Sequence, residues 1–401
     1  MPKERIGIMG GSFNPIHGRH LEMASCALKE AKLDRVVFLP TGNPPHKREG
    51  LEDAEHRYEM TRLAVSGMAG FEPSRIELER KGTIYTVDTL AAFHKLYPNA
   101  ELYYIIGEDT LFDLPNWRKP DKVFELTRFL VCRRATHTPE DDPRCEAIRK
   151  RGCKFTFLSL PPRDVSSTAV RQALLEGRDP EVLKPQVTEY IRLMGLYQVP
   201  AIPAEGERYY QKLKKNLSEK RLLHSLLVSW TARRLARLHG VDETEAAAAA
   251  LLHDCAKCMP LAGMQRIARE HRLLLDKLTL QTGNLLHGPA GAVVAEQEYG
   301  ITDPNVLSAI RCHTTGKVGM LPLDMIVFLS DKIEPSRRSY PALEEVRRLA
   351  QESLPAAMSH SLRSTLDYVK SQKGIPHPAT QRVADWLERL MAKQRSNEND
   401  E

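Results

Sequence analysis

Two histidines three residues apart, His17 and His20, lie in a string able to handle phosphate: Gly10-Gly11-Ser12-Phe13-Asn14-Pro15-Ile16-His17-Gly18-Arg19-His20. It follows an apolar run, Ile6 to Met9, and opens into Leu21-Glu22-Met23-Ala24. A strand, a glycine turn and a helix start in that order let the backbone approach a ligand, and free N–H groups at the helix start face anionic oxygens. A helix beginning near Pro15 puts both imidazoles on one face, aimed at one phosphate. A second set is spread over the far half: His224, His253-Asp254, His287, His313 and Asp331. Any one of these histidines alone is most simply a satisfied core residue. Together they form a candidate ligand set, because neutral imidazoles and carboxylates suit zinc, iron or manganese and can project from several helices into one bundle core.

The elements that must carry these residues change character along the chain. After the first apolar run, further strand-like runs lie at 35–39, 75–78, 102–106, 129–132 and 155–158, with helix-period stretches near 20–31, 54–66, 86–96 and 139–151. This alternation predicts an α/β doubly wound parallel sheet with ligands at the carboxyl ends of its strands. Chemistry-bearing residues do follow the strands. Thr41-Gly42-Asn43-Pro44-Pro45-His46-Lys47 comes after the second, Thr83-Ile84-Tyr85-Thr86 after the third, Gly107-Glu108-Asp109 and Trp117 after the fourth, and Ser166-Ser167-Thr168 with Arg171 after the sixth. Each has an ordinary counterpart: a surface turn, a capped helix start or a core tryptophan. Beside a phosphate, the cap N–H groups and hydroxyls become its ligands, and Arg171 adds a fork-shaped cation.

Residues 200–207 are proline-punctuated and polar, which reads as a linker. Beyond them the spacing is helical, from Leu222, Leu223, Leu226, Leu227 and Trp230 to a last amphipathic helix with Val383, Trp386, Leu387, Leu390 and Met391. The division is a domain over 1–198, a linker over 199–210, an all-α domain over 211–395 and a disordered tail over 396–401. At 401 residues, two or three domains are expected. A net charge of +6 mixed with nearly as many acids describes no nucleic-acid stripe, so small phosphorylated ligands fit better. No signal peptide or membrane span is legible, and seven scattered cysteines suit a reducing compartment, so a cytoplasmic location is expected. Cys255-Ala-Lys-Cys258 reads as a redox or zinc pair, or as buried fillers. The oligomeric state stays open, a homo-oligomer included.

The opening string resembles the nucleotidyltransferase superfamily with the H-x-G-H signature, and within it the bacterial nicotinate-nucleotide adenylyltransferases. Asn43-Pro44-Pro45-His46-Lys47, the string from Ser166 to Arg171, and the closing stretch Val187 to Tyr197 match the family's later elements, so the resemblance covers residues 1 to about 198. One departure stands out: Arg19 occupies the place of a glycine that lets adenine lie close to the backbone. Its side chain either crowds the base or swings away to hold a phosphate. The resemblance implies transfer of AMP from ATP, arriving with Mg²⁺, to nicotinate mononucleotide, giving deamido-NAD and pyrophosphate. It assigns His17, His20, Lys47 and Arg171 to the transition-state oxygens. Nucleotide and mononucleotide contacts would come from Gly10, Gly11, Ser12, Phe13, Gly107, Asp109, Ser166, Ser167 and Thr168. Thr83, Tyr85 and Thr86 would present backbone groups to the pyridine carboxylate, and Trp117 would stack on the pyridine ring. A nucleotide-binding module without transfer, or a preference for the amidated nucleotide, are the alternatives.

The far half resembles the HD-domain metal-dependent phosphohydrolases, and the flanks His253-Asp254-Cys255-Ala256-Lys257, His287-Gly288-Pro289 and Asp331 to Arg337 resemble their YqeK-like group. That resemblance implies two transition-metal ions, with iron expected, and hydrolysis of diadenosine tetraphosphate into two ADP. It gives His224, His253, Asp254 and Asp331 to one ion, with Asp254 bridging to a second held by His287 and His313. Lys257, three residues from Asp254 and on the same side of a helix, would neutralise the phosphate chain, with Lys317 and Arg337 as weaker candidates of the same kind. A broader nucleotidase or a nucleotide sensor are the alternatives.

Overall fold

The computed structural model describes residues 3–42, 50–80, 82–133, 142–161, 163, 165–373 and 376–399, with side chains to residue 392. Lys47, and with it the Asn43–Lys47 element, lies outside the described residues. The chain divides into two compact units, Met1–Thr188 with Tyr197–Val199, and Glu189–Leu196 with Pro200–Glu401.

The first unit holds six strands among the described residues: β1 (Arg5–Gly11), β2 (Arg35–Pro40), β3 (Phe71–Pro73), β4 (Glu101–Gly107), β5 (Arg128–Cys132) and β6 (Phe155–Leu158). They form one parallel sheet in the order β3-β2-β1-β4-β5-β6, the doubly wound arrangement. The order reverses between β1 and β4, so the loops leaving those strands part and open a crevice at their carboxyl ends. Between and after the strands come α1 (Gly18–Glu30), α2 (Ala54–Val65), α3 (Thr86–Leu96), α4 (Glu108–Asp113), α5 (Pro120–Leu126), α6 (Pro143–Lys150) and α7 (Ser167–Leu175), and α8 (Pro185–Met194) passes into the second unit from Glu189. Strand residues such as Ile6, Ile8, Leu102, Tyr104, Phe129 and Val131 pack with Leu90, Phe93 and Phe124 from the helices. Each fully buried side chain of this size stabilises the unit by about 1.5–3 kcal/mol, which is what holds the loop tips in register.

Three local expectations differ from the structure. The third strand is Phe71–Pro73, whereas 75–78 forms a turn closed by Leu78 N–H donating to the Arg75 carbonyl at 2.8 Å. Arg75 there pairs with Glu55 and Glu77 turns inward to Thr89, so polar contacts override the β-like pattern. Helix α1 begins at Gly18, not near Pro15, with His17 as its extended N-cap. Helices α4 and α5 are too short to leave a periodic signal, and sequence reading missed them.

The second unit is helical throughout its described residues. Its elements are α9 (Gly206–Asn216), α10 (Glu219–His239), α11 (Glu243–Leu252), α12 (Leu261–Glu270), α13 (Lys277–Gln281), α14 (Gly283–Tyr299), α15 (Pro304–Cys312), α16 (Pro322–Ile333), α17 (Pro341–Glu352), α18 (Leu354–Ser371) and α19 (Pro378–Asn399). Helices α10, α11, α14, α15 and α16 pack on one another and carry the metal-type residues. The expected linker 199–210 already contains the start of α9, whose Tyr209 and Tyr210 are buried, Tyr210 edge-on to Tyr190. Helix α19 runs to Asn399, into the stretch whose composition suggested a tail.

Candidate functional site

In the first unit, β1 ends in Gly10 and Gly11, and a Cβ at Gly10 would overlap the Tyr104 hydroxyl of β4, so only glycine lets β1 pass there. Phe13 follows with φ of 45°. His17 and His20 then stack, their ring centroids 3.9 Å apart and planes 29° from parallel. The pairing predicted from spacing is present, but it is made across the helix start. His17 N–H donates to His20 Nδ1 at 3.2 Å, which leaves the His20 proton on Nε2 as a donor. The Phe13 ring stands edge-on to His20 at 5.1 Å. Burial pushes His17 down to about 4, and burial together with His17 pushes His20 down to about 3. Both rings are therefore neutral near pH 7, and His17 Nδ1 is buried with no hydrogen-bond partner. An orphaned imidazole nitrogen beside a fixed N–H donor is a site waiting for a polar ligand.

Arg171 on α7 donates to the Asn14 carbonyl at 2.7 Å and to Thr168 Oγ1 at 3.2 Å, and Ser167 Oγ donates to the Pro15 carbonyl at 3.1 Å. The predicted phosphate residues of α7 thus brace the histidine loop. Ser166 caps α7 by accepting from Ala169 N–H. Arg19 settles into an ion pair with Glu22 at 3.2 Å, which Arg163 also joins at 3.0 Å. Trp117 is half-buried with its ring edge-on to Tyr104 at 6.1 Å. The Arg118 guanidinium lies 4.4 Å from the centre of the Tyr85 ring, the N-cap of α3, with Thr83 exposed and Thr86 opening that helix. Gly107 caps α4, where Asp109 is exposed, and Ser12 is exposed beside Gly11.

Sequence reading missed Arg57. It is completely buried and donates to the carbonyls of Ser12 at 2.8 Å, Glu52 at 2.9 Å and Gly42 at 3.4 Å, and to Thr41 Oγ1 at 3.3 Å. It ties the loop after β1 to the loop after β2. Its only sequence signal is an arginine among the helical residues of α2, which reads as a solvated face.

In the second unit the predicted ligands converge. His224 comes from α10, His253 caps the end of α11 with Asp254 next to it, His287 lies in α14, His313 caps α15 and Asp331 lies in α16. Helices α14 and α15 can approach because Gly288 faces the Arg311 carbonyl, which a Cβ would meet at 2.9 Å. His224, His253 and Asp254 offer atoms within 4.8 Å of one another, as do Asp254, His287 and His313. Asp331 Oδ1 joins at 3.0 Å from His224 Nε2 and 3.9 Å from His253 Nε2.

Tautomers test whether these residues fit cations. His253 Nδ1 contacts the Ala250 carbonyl at 2.6 Å, His313 Nδ1 the Ile310 carbonyl at 2.7 Å and His287 Nδ1 the Gly283 carbonyl at 3.2 Å. A carbonyl only accepts, so each Nδ1 carries the proton and each Nε2 points its lone pair inward. Yet His287 Nε2 and His313 Nε2 face each other at 2.9 Å, and His253 Nε2 is buried without a partner. Converging lone pairs beside carboxylates fit metal ions. Burial and its imidazole neighbours push His313 down to about 3, and burial also lowers His253. Burial opposes ionisation of Asp254, but the imidazoles, His253 first, outweigh it and hold the carboxyl well below its usual range. Asp331 behaves likewise through its bond to His224. Neutral His253 and His313 with ionised carboxylates are ligand states a metal needs, whereas His224, held up against burial by its bonds to Asp331 and Glu334, must give up a proton to bind one.

Cations ring the cluster. Arg221 pairs with Asp254 at 2.9 Å and Arg337 with Asp331 at 2.6 Å, and Lys257 Nζ lies 3.3 Å from His287 Nδ1. Lys257 sits in the turn after α11, not on a helix. Lys317 is directed to Asp324 at 3.0 Å, a buried carboxylate that also accepts from the Ser308 hydroxyl and the Leu321 N–H. Cys255 is buried against the Gly291 carbonyl and Cys258 is exposed, and both are free thiols. Arg221 and Glu334 were missed; each lies three residues from a ligand, a spacing visible only once the ligands are fixed.

The cytidylyltransferase-like family model matches residues 8–173 and the HD domain model residues 221–336. A Mycoplasma genitalium protein named probable nicotinate-nucleotide adenylyltransferase/Ap4A hydrolase is 28% identical over 373 residues, spanning 92% of this chain and 99% of its own. A Desulfitobacterium hafniense protein named probable nicotinate-nucleotide adenylyltransferase is 40% identical over 204 residues, 49% of this chain and 98% of its own. A crystal structure of a predicted HD superfamily hydrolase involved in NAD metabolism, from Clostridium acetobutylicum, is 36% identical, covers 46% of this chain and 97% of its own, and has a TM-score of 0.44. Among the described residues no helix is long and apolar enough to cross a membrane.

Proposed function

We propose that this chain, which belongs to the nicotinate-nucleotide adenylyltransferase family and continues into an HD domain, carries out two phosphate reactions, one in each unit. In the first, residues 1–198 transfer AMP from ATP to nicotinate mononucleotide, releasing deamido-NAD and pyrophosphate. The mononucleotide phosphate attacks the α-phosphorus in line without a covalent protein intermediate, so the protein contributes position and charge stabilisation. The supporting observation is the neutral pair His17 and His20, with His20 Nε2–H fixed as a donor and Arg171 bracing the same loop. A neutral donor binds growing negative charge on oxygen without needing a proton from solvent. Lys47 and Arg171 supply cations, and Mg²⁺ enters with ATP. The test is pyrophosphate release by the purified full-length protein with nicotinate mononucleotide and, separately, with its amide. Release with the acid form and little with the amide supports the reading; no release with either refutes it.

In the second unit, residues 211–395 hydrolyse dinucleoside polyphosphates such as diadenosine tetraphosphate to two ADP through a dinuclear centre. The observation behind this is the convergence of three imidazole lone pairs on Asp254. His224, His253, Asp254 and Asp331 would hold one ion, and Asp254, His287 and His313 the other, with iron the expected metal. Bound ions supply Lewis acidity toward phosphate oxygen and water. Lys257, Arg221 and Arg337 balance the charge of the phosphate chain, and buried Asp254 stays ionised to join the two halves of the site. Metal analysis with product identification tests it. Two ADP and two metal ions per chain support the reading, whereas metal-free protein of full activity refutes it.

A further inference from the structure

The two ends of the histidine cluster are not built alike, and the following rests on the two-ion reading above. One end offers four donors: His224 Nε2, His253 Nε2, Asp254 Oδ2 and Asp331 Oδ1. The other offers three: His287 Nε2, His313 Nε2 and the second oxygen of Asp254. Behind the four-donor end stands Glu334, 1% exposed, its carboxylate 3.2 Å from His224 Nδ1. Glu334 is itself fixed by Ser336, through its backbone N–H and its hydroxyl. The other three imidazoles hand Nδ1–H to neutral carbonyls. A carboxylate behind an imidazole fixes its tautomer and makes the far nitrogen a stronger donor.

Neighbouring positive charge does not rank the two ends, since Arg221 and Arg337 flank the first and Lys257 the second. What each cation touches does. The guanidinium groups meet carboxylate oxygens, which keep further lone pairs for a metal. Lys257 Nζ lies 3.3 Å from His287 Nδ1 and 3.4 Å from Nε2, so it rests against the imidazole and on the lone pair of neither nitrogen. Its positive charge meets a neutral ligand ring and no carboxylate, which opposes a cation at that end.

We propose that the two positions load unequally. The position formed by His224, His253, Asp254 and Asp331, with Glu334 as its positioning residue, holds a transition-metal cation tightly. The position formed by Asp254, His287 and His313 holds an exchangeable one, with the Lys257 charge beside His287 repelling it until a phosphate anion draws the ammonium away.

The experiment is equilibrium dialysis of chelator-stripped full-length protein against Mn²⁺, with metal counted by elemental analysis. A two-step isotherm is expected, with the steps separated at least about tenfold. Glu334→Gln should weaken the tight step by about 10–100-fold, the range for such outer partners, and leave the weak step in place. Lys257→Met should tighten the weak step alone. Thermal melting of each variant checks folding, and if Glu334→Gln does not fold, the wild-type isotherm and Lys257→Met still decide. Two ions bound with one indistinguishable constant, or variants that leave both steps unmoved, overturn the inequality while keeping the two-ion reading. Saturation at one ion or none removes the two-ion reading itself.

Discussion

Acid should loosen the first unit through His17. Burial holds that ring at about 4, whereas an unfolded chain protonates near 6.5. Between these values the unfolded chain takes up a proton that the folded one refuses. Stability is therefore full above about pH 6.5 and falls as pH drops toward 4. At about 1.4 kcal/mol per pH unit, the gap amounts to about 3 kcal/mol, a large part of a typical domain's stability. His20, lower still at about 3, adds a loss of the same sign. Trp117 is the only tryptophan of the first unit, Trp230 and Trp386 belonging to the second, so replacing those two by phenylalanine gives a local fluorescent probe. Urea denaturation of that protein from pH 7.5 to 4.5 should show a steeper loss with His17 present than in His17→Gln, by about 2 kcal/mol at the acid end. Parallel curves, or a His17 ring signal titrating near 6.5 by NMR, would show that the loop does not hold the imidazole dry.

Three further outcomes follow from the same geometry. His20→Ala should cut turnover about 100-fold while leaving KM within a few-fold, read by pyrophosphate release, because its fixed N–H acts on charge that develops late. Arg57→Met leaves the Ser12 and Glu52 carbonyls without their donor, so the first unit should lose about 3–5 kcal/mol by chemical denaturation. Since Arg19 pairs with Glu22, Arg19→Gly should keep transfer within about threefold of wild type, and a larger gain would mean the arginine does crowd the base.

The sheet was legible because β1, β2, β4 and β5 are short apolar runs buried on both faces, which alternation with helices marks clearly, and β6 follows the same spacing. The third strand was misplaced because Arg75-Ile76-Glu77-Leu78 imitates a half-buried strand while Glu55 and Thr89 pull its polar groups into a turn. In the histidine loop the residue types were legible, but not the cap geometry, since the start of a helix depends on which N–H groups find acceptors. The metal-type ligands were readable from their order and their flanks. Arg57, Arg221 and Glu334 were not, because a buried charge is recognisable only when its partners, far away in sequence, are in place. Arg19 looked like the greatest departure, and an acid three residues later explains where it goes.

Three of the four clustered histidines of the helical unit take their aim from their own backbone, and His224 takes its aim from Glu334. His253 and His313 reach carbonyls three residues back and His287 one four residues back, so each ring is oriented by the turn that bears it. Chelation should consequently leave the coordinating groups where they stand. Stripped protein would regain its ions on simple remixing, at a speed set by diffusion and dehydration and with no refolding lag. Swapping one metal for another would change the chemistry at this centre without disturbing the bundle that presents it.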